Sequence, residues 1–380
     1  MDDTAKNGPL SGYRVVELAG IGPGPYAGQL LADYGADVIL VERPGASLRG
    51  IDVRGKRSIT LDLKNPAAIS ALLQMIAHAD VMIEGLRPGV TERLGIGPDA
   101  CHKVNPKLIY GRMTGWGQTG PWNQMAGHDI NYISMTGALH AMGKAGAPPM
   151  PPLNLVGDFG GGSLFLVTGI IAALLRAEKT GQGDVIDAAI VDGVNSLMSF
   201  IYGMAGPGAW QIRREANLLD GAAPYYRCYA TLDGKFVAVG CIEPQFFAAM
   251  MARLAIDMEA YGAQNDRSRW AQQHQLLEAV FAGKSRDEWE AIFAGSDACV
   301  TPVLDYAEAA VHPANIARQT HVAQESWTHP QVAPRLASQS LPLGFNRPAK
   351  GGDYAAILTE AGLSRDDIGD LVAAGAVIAG

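Results

Sequence analysis

Short apolar runs of strand type alternate with runs of helical periodicity over the first hundred residues, and this alternation limits the fold more than any other feature. Residues 14–18 (RVVEL) predict a buried strand, and residues 26–33 predict a short helix. The pattern continues with a helix at 67–79 and with strands at 36–42, 58–63, 80–84 and 108–113. Strands separated by helices form parallel βαβ units. The sequence therefore predicts an α/β fold whose large domain is built on a Rossmann-like open parallel sheet.

The pattern changes after residue 205, where a second and smaller domain of α+β type is predicted. Residues 206–226 are irregular and contain Pro207 and Pro224. Asp233-Gly234 then separates two strand patterns within 228–239, which is a strong hairpin signal. We assign residues 1–205 and 332–380 to the large domain and residues 206–331 to the small one. The other predicted elements are helices at 159–175, 190–204, 244–254 and 270–294, a strand at 184–188, an extended stretch at 334–348 and one C-terminal helix after Gly362.

Charge and cysteine content exclude several classes of protein. The formal net charge is −8, whereas nucleic-acid-binding proteins carry a basic face. The four cysteines are scattered without a CxxC pair, which indicates reduced thiols in a cytoplasmic protein. The N-terminus lacks the apolar core of a signal peptide, and the nearest approach to a membrane span, 159–176, begins with glycines. We therefore expect no nucleic-acid or membrane partner, and without HExxH or GxSxG motifs we predict neither a zinc site nor a nucleophilic serine.

A glycine-rich turn, GIGPGP at 20–25, follows the first strand and precedes the first helix. With Glu42 further along the chain, this turn approaches the fingerprint of dinucleotide-binding proteins. However, Pro25 replaces the third glycine, and Pro23 and Pro25 remove two backbone N–H donors that would face a pyrophosphate. A tight strand-to-helix turn is therefore favoured, and a Rossmann-type dehydrogenase is kept as an alternative.

Basic residues are concentrated after the early strands. Ligands of open α/β sheets bind outside the carboxyl ends of the strands, and both Arg43 and Arg87 follow predicted strand ends. Arginine grips phosphate bidentately and stacks on flat rings. A solvated rim and a site for a phosphorylated nucleotide handle are both open interpretations of this pattern. The residues concerned are Arg43, Arg54, Lys56, Arg57, Lys64, Arg87 and Arg93.

Two residues are candidates for acid/base chemistry. His128 lies in the dense polar run GHDINY, and histidine has the right ordinary pKa for a base near neutrality. Asp158 lies in GDFGGGS, before a strongly apolar helical pattern. An N-cap role accounts for Asp158 but not for three successive glycines, which destabilise a helix and suit a ligand lying against backbone N–H groups. A loop histidine and a helix cap are the structural alternatives.

A third acidic residue, Glu243, lies between a strand pattern and a helical pattern in GCIEPQF. Pro244 suits the first position of a helix, so Glu243 fits an N-cap or a loop acid. It could equally pair with a histidine and raise its basicity. The spacing leaves both interpretations open.

These segments together resemble the α-methylacyl-CoA racemases, a branch of the family III CoA-transferase superfamily. The resemblance covers nearly the whole chain, and GDFGGGS and GHDINY are its most specific parts. The other segments that carry it are LSGYRVVELAGIGPGPYAG, ADVILVERPG, RGKRSITLDLK, DVMIEGLRPGVTERLG, MTGWGQTGP, PPLNLVGDFGGGS and LDGAAPYYRCY.

The resemblance implies an isomerase that moves a proton on and off the α-carbon of a 2-methylacyl-CoA thioester through an enolate. His128 would take the proton from the (S)-epimer and Asp158 from the (R)-epimer, with backbone donors near 157–159 holding the enolate oxygen. Glu243 would hydrogen-bond the histidine across an interlocked homodimer. Neither a metal nor a redox cofactor would be needed.

The resemblance also implies which residues surround the CoA moiety, and it leaves one close alternative. A family III CoA transferase would use Asp158 as a nucleophile and form a mixed anhydride. GHDINY favours the racemase, and a non-catalytic CoA-ester binder is a further alternative. The residues at CoA-binding positions are Arg43, Leu61, Asp62, Leu63, Lys64, Gly85, Leu86, Arg87, Arg93, Gly127, Asp129, Ile130, Asn131 and Tyr132.

Overall fold

A computed structural model describes residues 8–45, 51–324, 327–340 and 345–380 of the 380-residue chain. The chain divides into two compact units, which are described separately. The large unit comprises Met1–Thr136, Pro152–Leu197 and Ala317–Gly380, and the small unit comprises Gly137–Pro151 and Met198–Ile316. These bounds assign 137–151 and 198–205 to the small unit and 317–331 to the large one, unlike the predicted bounds. The division into domains itself stays a prediction.

Elements are numbered in chain order over both units. The large unit contains β1 (Arg14–Leu18), α1 (Pro23–Asp33), β2 (Asp37–Glu42), a 3-10 turn (Ile51–Val53), β3 (Arg57–Leu61), α2 (Pro66–Ala77), β4 (Val81–Glu84), α3 (Val90–Leu94), α4 (Pro98–Val104), β5 (Ile109–Thr114), α5 (Asp129–Ser134), a π-helical segment (Leu155–Ser163), α7 (Leu164–Thr180), β6 (Asp184–Ala189), α8 (Ile190–Leu197), β10 (His321–Gln324), β11 (Trp327–Pro330), α16 (Tyr354–Glu360), α17 (Arg365–Ala373) and β12 (Val377–Ile378).

The remaining elements belong to the small unit. They are α6 (Ala138–Ala141), α9 (Ser199–Ala205), β7 (Tyr226–Ala230), β8 (Phe236–Gly240), α10 (Pro244–Arg253), α11 (Met258–Tyr261), α12 (Trp270–Phe281), α13 (Arg286–Phe293), β9 (Val300–Pro302), α14 (Tyr306–Val311) and α15 (Pro313–Arg318), the last of which ends two residues past the boundary.

The large unit is built on a seven-stranded sheet of order β12-β3-β2-β1-β4-β5-β6. β1 to β6 are parallel to their neighbours, and only β12 pairs antiparallel, with β3. The predicted α/β fold with an open parallel sheet is therefore confirmed. The order 3-2-1-4-5-6 reverses between β1 and β4, and ligands of such sheets bind at that reversal, outside the carboxyl ends of the strands.

Alternation along the strands explains how the sheet is covered on its two faces. Every second strand residue, including Val16, Ile39 and Ile59, joins a core completed by α2 and the C-terminal helices. The opposite face carries Glu17 against α1, where its carboxylate pairs with Lys56 (Nζ to Oε2, 2.7 Å). Both side chains are fully buried, so their charges are compensated only by each other and by nearby polar groups.

One helical run in the described part of the chain, Leu155–Thr180, is long and apolar enough to cross a membrane by length and composition alone. Leu166, Ile170 and Leu174 of this run are buried in the large unit. The run also contains three consecutive glycines, 160–162. This is the behaviour of the core helix of an α/β layer, which passes the same test.

The small unit places its β7-β8-β9 sheet against helices α10, α12 and α13. β7 and β8 form the predicted hairpin, with Gly234 of its turn at φ +74°. Tyr229, Val237 and Val239 point into a core with Phe247 and Phe281.

Three helix predictions were wrong, each because a local stop signal interrupts the periodicity. The run 270–294 is broken after Phe281, and Ser285 starts a new helix with a reciprocal cap to Glu288. The run 190–204 is broken at Met198. The C-terminal stretch forms two helices rather than one, because Ser364 caps α17, and it ends in the edge strand β12.

Candidate active site

Asp158 lies at the carboxyl edge of the sheet, against the glycine-rich turn that follows β1. A Cβ built on Gly22 would be 2.9 Å from Asp158 Oδ2, and Gly22 has φ +77°, a conformation that favours glycine. The turn predicted merely to join strand and helix therefore also makes room for the candidate catalytic carboxyl. Its position after β1 puts Asp158 at the reversal of strand order, where such folds bind ligands.

The segment that carries Asp158 is π-helical rather than the start of an ordinary helix. The N-cap residue of this segment is Asn154, and Asp158 lies inside the segment. The N-cap interpretation of Asp158 was therefore wrong. π-helical turns are rare and are frequent at functional sites. Ser163 closes the segment by donating its hydroxyl to the carbonyl oxygens of Pro23 (2.7 Å) and Asp158 (3.1 Å).

The glycines after Asp158 are needed for packing. A Cβ on Gly161 would lie 2.5 Å from Val194 Cγ2, and a Cβ on Gly162 would lie 3.1 Å from Pro23 Cβ. Both glycines are buried. Helices α8 and α1 leave no space for a side chain at these two positions, and the expectation that the glycines offer backbone N–H groups to a ligand stays a prediction.

The Asp158 carboxyl sits in an environment that favours its protonated form. Burial and the charge of Asp129 raise its pKa to about 6, and the charge of His128 opposes the rise. A carboxyl of this kind is half-protonated at a pH where it can serve both as acid and as base.

His128 is the N-cap residue of α5, and its ring is exposed. Its backbone N–H donates to Asn131 Oδ1 (3.1 Å), which fixes the entry of the chain into the helix. The preceding residue, Gly127, accepts a hydrogen bond from the Tyr132 hydroxyl at its carbonyl oxygen. Tyr132 in turn packs edge-on against Trp116 with ring centroids 4.8 Å apart. The loop that carries His128 is therefore held by the packing of Tyr132 on Trp116, while the His128 ring faces solvent.

Asp129 joins the histidine loop to the aspartate segment. Its side chain is only 7% exposed, and Oδ2 accepts the backbone N–H of Asp158 at 2.7 Å. Gly157 lets this carboxylate come close, because a Cβ on residue 157 would lie 2.3 Å from Oδ2. Sequence reasoning placed His128 and Asp158 in one site, and this link shows how two segments 30 residues apart are brought together.

The same contacts correct the expected oxyanion donors at 157–159. The N–H of Asp158 donates to Asp129 Oδ2 (2.7 Å), and that of Phe159 donates to the Asn154 carbonyl oxygen (3.2 Å). These two N–H groups are therefore occupied within the protein. The first-turn N–H groups of α5, on Asp129 and Ile130, have no acceptor within their helix because they open it.

The basic residues separate into two groups. Arg43, Lys64, Arg87 and Arg93 are exposed at or near the carboxyl ends of β2, β3 and β4. Within the described residues they form no ion pair. The parallel strands bring three of these cations, Arg43, Lys64 and Arg87, to the edge of the sheet that also carries Asp158.

The other three basic residues do not belong to this rim. Arg54 is buried and pairs with Asp33 (2.6 Å), and Lys56 is buried with Glu17. Arg57 is the first residue of β3, at the opposite end of the strand, and binds Asp37 and Glu360. The interpretation of these three as part of a ligand-binding rim was wrong, since their charges are used in structural ion pairs.

The other residues predicted to contact CoA lie on loops and helix starts of the large unit, with one exception. Leu61 is the exception, because it is the last residue of β3 and is fully buried in the core. The backbone N–H of Leu86 donates to Glu84 (2.7 Å), which in turn pairs with Arg112 and fixes the loop before Arg87. The remaining predicted contacts are Asp62, Leu63, Gly85, Gly127, Ile130, Asn131 and Tyr132, and as ligand contacts they stay predictions.

Glu243 belongs to the small unit and is described there. It is exposed and precedes α10, but its side chain makes no capping hydrogen bond. Its charge raises the pKa of the nearby Cys299 thiol, together with burial of that thiol. The capping interpretation therefore lacks the contact it requires, and the role of Glu243 toward His128 stays a prediction.

Three features of the site were missed by sequence reasoning. They are the space that Gly22 leaves for Asp158, the hydrogen bond from the Asp158 N–H to Asp129, and the packing of Tyr132 on Trp116. A signal for the first was present, because a glycine between Ile21 and Pro23 permits a backbone conformation and a close approach that other residues do not. Within the described residues, no cluster of three His, Cys, Asp or Glu side chains could hold a metal ion.

Comparison with known proteins agrees with this architecture. A solved CaiB/BaiF family protein from Brucella suis superposes with a TM-score of 0.81 at 27% identity, covering 93% of this chain and all of that one. α-Methylacyl-CoA racemase of mouse is 43% identical over 361 residues, and the human enzyme is 42% identical over 365 residues. Each alignment covers 94% of this chain and 95% of the relative.

A more distant relative has a different activity in its name. Succinyl-CoA–D-citramalate CoA-transferase of Chloroflexus aurantiacus is 31% identical over 399 aligned positions, covering 96% of this chain and 97% of that one. Residues 10–353 match the family described as CoA-transferase family III. With an open parallel sheet, a carboxyl at its strand reversal and these relatives over nearly its full length, the chain belongs to CoA-transferase family III.

Proposed function

We propose that this chain is a 2-methylacyl-CoA racemase that catalyses 1,1-proton transfer at the α-carbon of the thioester. The similarity to the mouse and human racemases, 42–43% over nearly the whole chain, exceeds the 31% to the citramalate CoA-transferase. The observation that carries the proposal is the position of Asp158 beside the loop of His128, to which the Asp158 N–H is linked through Asp129 Oδ2 (2.7 Å), with the pKa of the Asp158 carboxyl raised to about 6 by burial and by the charge of Asp129. A two-base proton transfer needs one acid and one base, and imidazole and carboxyl groups both serve in these roles.

The thioester carbonyl acidifies the α-hydrogen, and removal of that hydrogen gives an enolate. We assign His128 as the base for the (S)-epimer and Asp158 as the base for the (R)-epimer, each serving as the acid when the other is the base. The planar enolate is reprotonated on the opposite face, which inverts the centre. Each general acid/base contribution is typically about 10² to 10⁴-fold.

The enolate oxygen requires donors other than those first expected. Since the N–H groups of Asp158 and Phe159 already have acceptors, we propose the first-turn N–H groups of α5, on Asp129 and Ile130, as the oxyanion donors. Charge developing on the oxygen strengthens such hydrogen bonds in the transition state. This assignment also keeps donors, base and acid on neighbouring segments of one unit.

The exposed cations at the strand ends are proposed to bind the phosphates of CoA. Arg43, Lys64, Arg87 and Arg93 provide charge without an internal partner among the described residues. Replacing Arg87 by Ala is expected to raise KM for acyl-CoA about tenfold with little change in kcat, since a charge-assisted hydrogen bond contributes about 1.5–3 kcal/mol. Arg365→Ala, on the exposed surface of α17, serves as the control.

The active form is proposed to be a cytoplasmic homodimer in which Glu243 of one subunit supports His128 of the other. Helix α7 supports association, because Leu164, Phe165 and Leu175 expose between 37% and 56% of their surface. Such exposed apolar side chains in series mark contact surfaces. We propose that the reaction uses no metal or redox cofactor, since proton transfer through an enolate needs only acid, base and oxyanion donors.

The proposal is tested by incubating a single 2-methylacyl-CoA epimer with the protein in deuterated water. Epimerisation with α-deuterium incorporation is the expected result. A free carboxylic acid is added in parallel, because a CoA transferase would pass CoA to it through an Asp158 anhydride. Transfer without deuterium incorporation would contradict the proposal, and acyl-CoA binding with neither reaction would indicate a non-catalytic binder.

A further inference from the structure

The side chain of Asp129 is buried beside the segment that carries Asp158. It is 7% exposed although aspartate is usually a surface residue. Oδ2 accepts the Asp158 N–H at 2.7 Å. Oδ1 is buried and receives no hydrogen bond from the described residues. A buried carboxylate bonded to a peptide N–H acts on the backbone that carries it.

The contact between the Asp129 carboxylate and the backbone requires a glycine at residue 157. A Cβ on Gly157 would lie 2.3 Å from Asp129 Oδ2 and 2.6 Å from Asp129 Cγ. Since the backbone of Gly157 is not in the left-handed region, a larger residue is excluded by space and not by conformation. The carboxylate therefore approaches the peptide as closely as only glycine permits.

The hydrogen bond from the Asp158 N–H and the close contact with Gly157 fix the orientation of the peptide plane before Asp158. The direction of the Asp158 side chain follows from that plane, and its carboxyl then meets Gly22. Asp129 also follows His128 directly in the chain, so the same residue sets the start of α5 and the turn at 158. The positions of His128 and Asp158 therefore both depend on the buried Asp129 carboxylate.

We propose that Asp129 is a positioning residue for the proton transfer, holding the backbone at 157 and 158 so that the Asp158 carboxyl is fixed relative to the His128 loop. This inference rests on the proposed racemase function. It replaces a role of the Asp129 side chain in binding CoA, because that side chain is occupied by the protein's own backbone.

The charge of Asp129 adds a second effect that can be measured. It raises the pKa of Asp158, after the larger effect of burial, and His128 acts in the opposite direction. Burial and the charge of Asp158 both raise the pKa of the nearby Tyr132 hydroxyl. From the α1 side the turn presents only the uncharged Gly22. Within the described part of the chain, no ionisable group from α7, α8, β5 or β6 contributes to the pKa of Asp158.

The test is the pH dependence of kcat/KM for the (R)-epimer, for which Asp158 must be ionised. In the wild type this activity should fall as pH drops through about 6. In Asp129→Asn the acidic limb should move to lower pH, because a negative neighbour has been removed. kcat should fall about 10²-fold, as expected when a reacting group is misplaced by about 1 Å. Affinity for free CoA, measured by calorimetry, should be unchanged.

A second variant separates position from charge and covers the case in which Asp129→Asn does not fold. Gly157→Ala displaces the carboxylate but keeps its charge, so kcat should fall while the acidic limb moves less than in Asp129→Asn. The inference is overturned if both variants keep the wild-type kcat and profile, or if CoA affinity falls and kcat does not. Absence of exchange in the wild type would instead overturn the proposed function, so the two failures are distinguishable.

Discussion

The Asp158 carboxyl lies against Gly22, so closely that a Cβ at residue 22 would be 2.9 Å from Asp158 Oδ2. The two residues are 136 positions apart in sequence, and the turn after β1 brings them together. The turn at the reversal of strand order therefore has to leave space for the Asp158 carboxyl, and the environment of this carboxyl depends on the turn.

Gly22→Ala is expected to lower kcat while leaving KM for acyl-CoA nearly unchanged. Alanine meets both the carboxyl and an unfavourable backbone conformation, whose cost is about 1–3 kcal/mol. Steady-state kinetics and thermal unfolding measure the two effects. Gly12→Ala is the matched control, because Gly12 has φ +93° with open space around its Cβ position. Equal losses of kcat in both variants would show that backbone strain alone is responsible.

Asp158→Asn should abolish epimerisation and yet stabilise the fold near neutral pH. The pKa of Asp158 in the folded state, about 6, lies above the ordinary value of an aspartate carboxyl, 3.8. Between these two pH values the folded chain therefore binds more protons than the unfolded chain. The contribution of Asp158 to the free energy of unfolding therefore falls as pH rises through this range and stays low above it. The thermal midpoint of the variant should exceed that of the wild type at pH 7.5, with the gap closing toward pH 4.

The exposed Asp192 on α8 provides the comparison for this stability measurement. Asp192→Asn should show no gap that opens with pH. A thermal midpoint of Asp158→Asn at or below that of the wild type at pH 7.5 would mean that the Asp158 carboxyl is not desolvated as described.

Mixed dimers test whether Glu243 serves the partner subunit. His128→Ala and Glu243→Ala should each be impaired, but a hybrid of the two contains one site with both residues intact. Random assortment gives half hybrids with one working site each, hence about a quarter of wild-type activity. Co-expression with two affinity tags allows the hybrid to be isolated.

The control hybrid combines His128→Ala with Asp158→Ala. Both residues lie in the same unit of one chain, linked through Asp129, so this hybrid should have no intact site. Recovery of activity in the control, or none in the His128/Glu243 hybrid, would contradict an intersubunit role of Glu243.

Lys56→Met should destabilise the large unit, because it leaves Glu17 buried without its partner. Breaking a buried pair costs about 3–5 kcal/mol, whereas replacing both partners by apolar residues is often neutral. Glu17→Leu/Lys56→Met should therefore recover most of the loss. Urea unfolding measures both, with Lys103→Met on the exposed face of α4 as the control. In the structure, burial raises the pKa of the Glu17 carboxyl to about 7. An unchanged urea midpoint in Lys56→Met would contradict this buried environment of Glu17.

The sequence patterns predicted the strands of the sheet to within one or two residues, because each is a dense β-branched or apolar run. β1 at 14–18 and the hairpin around Asp233-Gly234 were confirmed. Helix breaks such as the one at Ser285 were missed, since one capping residue outweighs a continuous apolar periodicity. The edge strand β12 was missed because two residues carry no periodicity.

Site chemistry was predicted unevenly for a different physical reason. The residue types at His128 and Asp158 announce acid/base chemistry, but their environment depends on contacts between distant segments. Nothing in the local sequence indicates that Asp129 bonds to the backbone N–H of Asp158, or that Arg54 and Lys56 are buried in ion pairs. The sequence distance between the partners hides such contacts.

The most direct test of the two-base account follows α-hydrogen exchange of each epimer separately in deuterated water. His128→Ala should stop epimerisation but still exchange the (R)-epimer, since Asp158 can remove and return its proton on one face. Asp158→Asn should do the reverse and exchange only the (S)-epimer. Loss of exchange on both epimers in each variant, or equal exchange on both, would contradict the assignment of one residue to each face of the α-carbon.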